Sequence, residues 1–344
     1  MKNICKKKAT IKIITGLSML FMFSESQAGD NLMRIVNLKG EWNFTIGMQE
    51  DWIKPGFDDS EWKKIYVPSA WENQGFHGYD GYATYRKEFT LPEKYEGSSL
   101  YLFLGYIDDV DITYLNGHKI GLTGTFPPDY QSAYYAKRLY FLPQEYLNFG
   151  GKNVISVQVY DSYMYGGIVK GDPGIYVNEK EIPLTVNLQG EWKFKTGDDF
   201  ERTHVKYDDT DWIKIFVPGS WEDQGFRDYD GFAWYRKRFY YKGNLTDDKI
   251  VLIMGKIDDV DQVYVNGLKV GDTGGLTKNA NERVDTKGYY SNFRAYLMNS
   301  GVLEKNKWNT IAVRVYDSGG VGGIYEGPVG FVNQQDFIKY WKNK

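Results

Sequence analysis

Apolar residues in this chain come in short runs that alternate with turn signals. Residues 100–104 form a β-prone run, and within residues 154–160 Val157 and Val159 alternate with polar neighbours. Strict alternation of this kind is typical of a strand with one face in the core. No window of helical length shows a clean 3.6-residue period. The pattern therefore predicts an all-β protein built of short strands.

Two tight turns are predicted at Asn-Gly pairs. Asn116 and Gly117 follow the strand-like residues 110–115, and Asn266 and Gly267 repeat this arrangement. Asn-Gly between strand-like runs is the strongest short hairpin signal, because both central residues of the favoured turn need a positive φ.

The chain contains one long segment twice. Residues 38–124 and 188–274 align without a gap, with 40 identities in 87 positions. A period of about 150 residues indicates a duplicated domain rather than a solenoid unit. We predict two tandem β-sandwiches, at residues 29–178 and 187–335. A linker at 179–186 joins them, and a C-terminal tail follows at 336–344.

Residues 1–28 have the features of a secretory signal peptide. Four lysines lie within the first eight residues, an apolar stretch covers residues 11–23, and Ser26, Gln27 and Ala28 form a small-x-small cleavage pattern. The apolar stretch is shorter than the roughly 20 residues that a membrane span needs. We expect cleavage after Ala28 and a periplasmic or secreted protein.

Composition narrows the choice of partners. The net charge of the 344 residues is −3 and no long basic run follows the N-terminus, so a nucleic-acid partner is not expected. No later stretch is apolar enough to predict a membrane span. The one cysteine, Cys5, lies in the predicted signal peptide, so we expect no disulfide, thiolate nucleophile or cysteine metal site in the mature chain.

A set of aromatic, acidic and glycine motifs recurs in both copies. In the first copy these are Trp42, Asp58, Asp59, Trp62, Val67, Pro68, Trp71, Tyr85, Arg86, Lys87, residues 107–111, Tyr114, Asn116, Gly117, Gly121, Val159, Tyr160, Asp161, Gly166 and Gly167. As a set they resemble the jelly-roll, galactose-binding-like domain of family 2 glycoside hydrolases. They resemble even more the related domain inserted in sialate O-acetylesterases. The resemblance covers nearly all of the predicted mature chain and implies two jelly-roll sandwiches that bind carbohydrate.

The resemblance does not extend to a catalytic domain. Family 2 hydrolases carry their two catalytic glutamates in a separate barrel of about 250 residues, and the two copies occupy nearly all of this sequence. The esterases need a serine nucleophile in a GDS-type turn and a downstream Asp-x-x-His, and neither pattern occurs here. A shared fold alone does not assign an activity.

One loop in each copy has the composition of a sugar site, because sugars are bound by aromatic faces and planar polar groups. In family 2 hydrolases the Asp at the motif of Asp161 approaches the sugar, and the resemblance implies the same here. Structural roles remain as alternatives: Trp71 as a core residue, Asp80 in a turn, and Asp161 as a cap of the following glycine turn. The predicted ligand-binding residues are Trp71, Glu72, Gln74, Tyr79, Asp80 and Asp161, with Trp221, Glu222, Gln224, Tyr229, Asp230 and Asp317 in the second copy.

Asp109 and Asp111 are two residues apart, so on one strand they would share a face, and Asp259 and Asp261 repeat them. Such carboxylates bind a hard cation such as Ca²⁺, act as acid and base, hold a sugar, or pair with arginines such as Arg86. The sequence shows no continuous loop of oxygen ligands. We therefore predict no cofactor, with a structural Ca²⁺ as the alternative.

Two functions follow from these residues. The first is an exported carbohydrate-recognition protein that acts in polysaccharide degradation. The alternative is a stand-alone carbohydrate-active enzyme, a lyase or dehydratase on uronic-acid oligosaccharides or, less favoured, a glycoside hydrolase. Elimination needs a Tyr or His to abstract a proton and a cation to hold the developing charge. The residues of that alternative are His77, Tyr79, Arg86, Tyr134 and Arg138.

Overall fold

A computed structural model describes residues 31–276, 286 and 288–343, so the predicted signal peptide lies outside it. In the first repeat (residues 33–177) the strands are β1 (Met33–Asn37), β2 (Gly40–Ile46), β3 (Lys63–Val67), β4 (Gly81–Thr90), β5 (Leu100–Asp108), β6 (Val110–Leu115), β7 (His118–Thr123), β8 (Lys137–Phe141), β9 (Lys152–Asp161), β10 (Gly167–Lys170) and β11 (Gly174–Val177).

The second repeat (residues 186–333) has the same order of strands, except that one long strand takes the place of β10 and β11. Its strands are β12 (Val186–Asn187), β13 (Gly190–Thr196), β14 (Ile213–Val217), β15 (Gly231–Tyr241), β16 (Lys249–Asp258), β17 (Val260–Val265), β18 (Leu268–Thr273), β19 (Phe293–Asn299), β20 (Lys307–Asp317) and β21 (Gly323–Asn333). Short 3₁₀ helices lie at Glu50–Ile53, Trp71–Gln74, Glu93–Tyr95, Gln144–Tyr146, Phe200–Thr203, Glu222–Gln224, Tyr289–Ser291 and Ser300–Val302.

Each repeat is a β-sandwich of two antiparallel sheets, which confirms the predicted fold class. One sheet of the first repeat has the order β3-β2-β4-β9-β6-β7, and the other has the order β1-β11-β5-β10 with β8 also paired to β5. The corresponding sheets of the second repeat are β14-β13-β15-β20-β17-β18 and β12-β21-β16-β19. The predicted hairpin between β6 and β7 is confirmed, with Asn116 at φ 49° and Gly117 at φ 84°.

Aromatic side chains fill the space between the two sheets of each repeat. In the first repeat Phe44 contacts Tyr85 edge to face at 4.8 Å, and Trp42 donates from Nε1 to the carbonyl of Leu38 at 2.8 Å. Trp62 is only half-buried and packs on Trp52 outside this core. The second repeat has a separate core of equivalent residues, so each sandwich buries its own apolar faces.

The last described element is helix α1 (Gln334–Lys342), in place of the predicted C-terminal tail. Phe337 and Tyr340 of this helix pack on a small apolar cluster that includes Ile182 from the segment between the repeats. In the described residues no helix has the length and hydrophobicity needed to cross a membrane.

The two repeats contact each other directly. Gly124 donates from its backbone N–H to the carbonyl of Asp223 at 2.6 Å. Arg227 donates to the carbonyl of Ser132, and its guanidinium lies 5.6 Å from the ring centre of Tyr135. Residues 124–135 of the first repeat therefore lie at the contact between the repeats, and the corresponding stretch of the second repeat is six residues longer.

Candidate functional site

Three carboxylates meet where β5 and β9 end in the first repeat. Asp108 ends β5, Asp109 follows it, and Asp161 ends β9. One carboxylate oxygen from each lies within 4.8 Å of the other two. We call these residues the first acidic cluster. Asp258, Asp259 and Asp317 form the second acidic cluster at the equivalent place in the other repeat.

Asp109 is the member of the first acidic cluster that is held in the ionised form. Its carboxylate accepts hydrogen bonds from Ser132 Oγ at 2.5 Å, Tyr130 OH at 2.5 Å, and Ser162 N and Oγ at 3.0 and 2.9 Å. Burial alone would raise the pKa of Asp109, but these hydrogen bonds outweigh it and lower the pKa below its usual value.

The two neighbours of Asp109 behave in the opposite way. Burial, followed by repulsion from nearby carboxylates, raises the pKa of Asp161 to about 7. Burial and the adjacent carboxyl group of Asp109 raise the pKa of Asp108 to about 7. The Asp161 side chain has no exposed surface, and among the described residues its Oδ2 has no hydrogen-bond partner. Asp317 and its Oδ2 repeat this arrangement, with a pKa of about 6.

A cluster of this kind has two chemical uses. Three carboxylates offer the hard oxygen donors that Ca²⁺ prefers. Carboxylates also accept hydrogen bonds from the hydroxyl groups of a sugar.

Loop 71–81 lies beside the first acidic cluster, but several of its predicted ligand residues are structural. Trp71 is fully buried and donates from Nε1 to the carbonyl of Tyr79 at 3.0 Å. Gln74 bonds the N–H and the carbonyl of Tyr66 at 2.6 and 3.0 Å, so its amide holds the loop to β3. The hydroxyl of Tyr79 donates to the carbonyl of Tyr82 at 2.7 Å.

The acidic residues of the same loop do face the first acidic cluster. Glu72 accepts from Gly166 N at 3.1 and 3.2 Å through its two oxygens, and burial raises its pKa. Asp80 is exposed, and its charge contributes to the raised pKa of Asp161. Glu72, rather than Asp161, thus caps the glycine turn at Gly166, while Asp161 Oδ1 accepts from Tyr163 N at 3.3 Å.

The second repeat has the same two groups of loop residues, structural ones and acidic ones that face the cluster. Trp221 is fully buried, Gln224 bonds Phe216 N and O at 2.6 and 3.0 Å, and Tyr229 donates to the carbonyl of Phe232 at 2.6 Å. Glu222 accepts from Gly322 N at 2.9 Å, and burial raises its pKa to about 7. Asp230 is exposed, and its charge contributes to the raised pKa of Asp317.

Asp109 and Asp111 do not act as the facing pair that their spacing predicts. The strand ends at Asp108 and resumes at Val110, so the chain turns at Asp109. Asp111 instead forms a fully buried ion pair with Arg138 at 2.9 Å, and Tyr140 donates to it as well. In the second repeat Asp261 pairs with Arg294 at 3.0 Å, while Asp259 accepts from Ser318 N at 3.0 Å.

The residues of the elimination alternative do not come together as one site. Arg86 is buried and pairs with Asp59 at 2.7 Å, not with the aspartates of residues 107–111. Arg138 donates four of its five guanidinium N–H bonds, one to the carboxylate of Asp111 and three to the carbonyls of Ala133, Ala136 and Asp109. Both arginines are therefore internal, whereas His77 and Tyr134 are exposed.

The structure also shows an exposed aromatic surface that is not predicted from the sequence. Tyr163, Met164 and Tyr165 directly follow the first acidic cluster and are 73%, 60% and 54% exposed. We call these three residues the aromatic tip. Tyr134 and Tyr135, also exposed, lie on the neighbouring loop next to Ser132, which is bonded to Asp109. Exposure of several large apolar side chains in one place is typical of a binding surface.

The two repeats differ at this surface. Residues 318–322 correspond to 162–166, and they place Gly319, Gly320 and Val321 where the first repeat has the aromatic tip. Met164 has a φ of 75°, in the left-handed region, where the second repeat has Gly320 at φ 101°. A non-glycine residue in that region is uncommon and carries backbone strain, and such residues concentrate at functional sites.

Comparisons with known proteins show similarity to solved structures. No known protein family and no curated protein matches the chain. Bacteroides uniformis β-glucuronidase is similar over 83% of this chain and 28% of its own, with 15% identity and a TM-score of 0.38. A family 2 glycosyl hydrolase from Bacteroides cellulosilyticus is similar over 83% and 32%, with 15% identity and a TM-score of 0.37. A family 2 β-galacturonidase from Eisenbergiella tayi is similar over 82% and 37%, with 16% identity and a TM-score of 0.31.

The chain thus spans about a third or less of the length of the first structures that it resembles. Fold and site together define it as a tandem β-sandwich protein with an acidic cluster at the same end of each sandwich.

Proposed function

We propose that this protein is an exported carbohydrate-recognition protein of polysaccharide degradation, and that the first repeat holds its glycan site. The observation that carries the proposal is the aromatic tip placed directly beside the first acidic cluster. The tyrosine faces suit the C–H surfaces of a pyranose ring, and the partly exposed carboxyl group of Asp108 suits its hydroxyl groups, whereas Asp109 and Asp161 lie buried behind it.

The charge at this site favours a neutral glycan. Glu72 and Asp80 add their carboxyl groups to the three of the first acidic cluster. A uronate placed there would meet like charges at short range, which is unfavourable. The elimination alternative on uronic acids also lacks its cation, because Arg86 and Arg138 are internal.

The test replaces the aromatic tip with the residues of the second repeat. The variant is Tyr163→Gly/Met164→Gly/Tyr165→Val, and the matched control is Val321→Ala in the second repeat. A microarray of neutral oligosaccharides identifies an oligosaccharide that the wild-type chain binds. Calorimetry then measures the affinity of that oligosaccharide for the wild type, the tip variant and the control. We expect the tip variant to lose about fivefold or more in affinity, since it removes two rings and stacking contacts contribute about 0.5–1.5 kcal/mol per ring.

Two further outcomes decide the proposal. Tyr163→Phe/Tyr165→Phe keeps the ring faces and should keep most of the affinity. An unchanged affinity in the tip variant, or no neutral glycan bound by the wild-type chain, would contradict the proposal.

The proposal of export rests on the pattern in residues 1–28. N-terminal sequencing of the protein made in a Gram-negative host should show a mature chain that begins at Gly29. A chain that keeps Met1 would exclude a cleaved signal peptide.

A further inference from the structure

A groove lies between the two repeats, and its lining includes no residue of the aromatic tip. Its volume is about 740 Å³, which is within the range of small-molecule sites, roughly 300–1,000 Å³. The first repeat contributes strands β7 and β8 and the residues that follow them, including His118, Lys119 and Tyr146. The second repeat contributes β13, β14 and β15, including Trp192, Lys214 and Lys237.

The groove is cationic in an otherwise acidic chain. Its lining holds six Lys and Arg residues against three acidic residues, whereas the chain carries a net charge of −3. Two of the three acids are already paired: Glu191 binds Lys214 at 2.8 Å, and Asp209 binds Lys193 at 2.7 Å and Arg236 at 2.8 Å. Glu145 is the third acid.

Lys119 and Lys237 have no carboxylate within ion-pair distance among the described residues. Lys237 donates to the carbonyls of Gln189 and Glu191 at 3.3 and 2.9 Å, which leaves one N–H bond of its ammonium group. Lys119 lies 5.5 Å from the ring centre of Phe216, across the contact between the repeats. Burial lowers the pKa of both lysines, that of Lys237 to about 8, so each ammonium gains from an anion.

Aromatic residues complete the walls of the groove. The rings of His118 and Tyr146 stack at 4.1 Å and nearly parallel, and Phe141 and Trp192 also line the groove. A single inorganic anion would fill only a small part of this volume, whereas sugar rings would contact the aromatic walls.

We propose that the groove between the repeats is a second ligand site, which binds an anionic oligosaccharide with its acidic group between Lys119 and Lys237. The two proposed sites then have different preferences, because the first acidic cluster disfavours the anions that the groove attracts. The inference is independent of the glycan site at the aromatic tip.

The duplication supplies matched controls. Lys87 and Lys269 are the counterparts of Lys237 and Lys119 in the opposite repeats, and neither lines the groove. Lys269 pairs with Asp272 at 2.5 Å, and Lys87 donates to the carbonyl of Glu41 at 2.6 Å. Variants of these two control lysines therefore show the effect of losing a positive charge anywhere on the protein. Comparison with Lys119 and Lys237 isolates the effect of losing a charge in the groove.

The experiment is calorimetry at low ionic strength with trigalacturonate, its neutral galactose trisaccharide, a sulfated trisaccharide and sodium sulfate. We expect wild-type protein to bind the two charged trisaccharides. Lys119→Gln and Lys237→Gln should each weaken that binding about fivefold or more, as the loss of a charged hydrogen bond does. Lys87→Gln and Lys269→Gln should leave it within twofold. The tip variant Tyr163→Gly/Met164→Gly/Tyr165→Val should also bind normally, which separates this site from the proposed glycan site.

A second measurement uses the unmodified chain in case a lysine variant does not fold. Trigalacturonate should protect Lys119 and Lys237 from acetylation more than Lys87 and Lys269, as read by mass spectrometry. No binding of any charged trisaccharide, equal effects of all four lysine variants, or sulfate ion as tight as the sulfated trisaccharide would overturn the proposal.

Discussion

Asp161 combines full burial, an Oδ2 atom with no hydrogen-bond partner in the described part of the chain, and two neighbouring carboxylates. The folded protein therefore holds a proton on this group more tightly than the unfolded chain does, with a pKa of about 7 against the ordinary 3.8. A carboxyl with a raised pKa stabilises the fold at low pH, and this contribution is lost as the pH rises through the window from about 4 to about 7.

Asp161→Asn should prevent this loss of stability at higher pH, because the amide keeps the shape of the carboxyl group and carries no charge. We expect equal stability of variant and wild type near pH 4, and a variant that is more stable by roughly 1–3 kcal/mol at pH 8. Urea unfolding at the two pH values measures the difference. The exposed Asp80→Asn serves as the control and should show a much smaller effect. A variant that is less stable than wild type at pH 8 would contradict the assigned direction.

Trp42 and Trp62 share a sequence motif but differ in burial, since Trp42 is 1% exposed and Trp62 is half-buried. Trp42→Ala should lower the free energy of unfolding by about 3–5 kcal/mol, as the loss of a large core side chain does. Trp62→Ala should cost clearly less. Chemical unfolding of both variants measures the difference, and equal costs would show that Trp62 is as important to the fold as the core.

At the scale of single elements, Gly166 decides how the glycine turn approaches the core. A Cβ on this residue would lie 2.1 Å from Trp71 Cζ2 and 2.8 Å from Asp161 Cβ, so the turn has no room for a side chain. Gly166→Ala should cost about 1–3 kcal/mol of stability, as overpacking does. Gly56→Ala, where nothing lies within 4 Å, is the control. Thermal unfolding compares the two, and a Gly166→Ala variant as stable as Gly56→Ala would rule out this packing.

The elements show how far the sequence pattern reaches. The strands predicted at residues 100–104, 110–115 and 154–160 and both Asn-Gly hairpins follow from local alternation and turn chemistry, and the structure confirms them. Helix α1 could also have been predicted, because Phe337, Tyr340 and Trp341 have helical spacing. At nine residues, however, it is too short to give a clear helical period. The acidic clusters could be predicted from the sequence only in part. Periodicity alone does not reveal that the chain turns at Asp109 and so separates Asp109 from Asp111.

At the scale of the whole molecule, each repeat has its own core. The duplication in the sequence predicts two sandwiches. It does not predict their packing, because the loop contacting the second repeat is the segment where the copies differ. The groove could not be predicted from the sequence either. Lys119 and Lys237 lie 118 positions apart, and only the contact between the repeats brings them to one groove.

A fragment of residues 179–343 should fold without the first repeat. Its core is complete, and helix α1 packs on its own cluster. Circular dichroism and a dispersed amide NMR spectrum of the fragment would show a folded β protein. An unfolded fragment would mean that the contacts of Gly124 and Arg227 between the repeats are essential for folding.

The second repeat keeps an acidic cluster beneath a loop of Gly319, Gly320 and Val321, so it resembles the first repeat with its aromatic tip removed. Gly319→Tyr/Gly320→Met/Val321→Tyr would transfer the tip and create two like sites on one chain, provided that residue 319 leaves its φ of 145° for the conformation of Tyr163. A polysaccharide that engages both sites gains from the high effective concentration of the second, about a hundredfold or more in avidity. The duplication thus provides a ready scaffold for a bivalent affinity reagent against a single polymer.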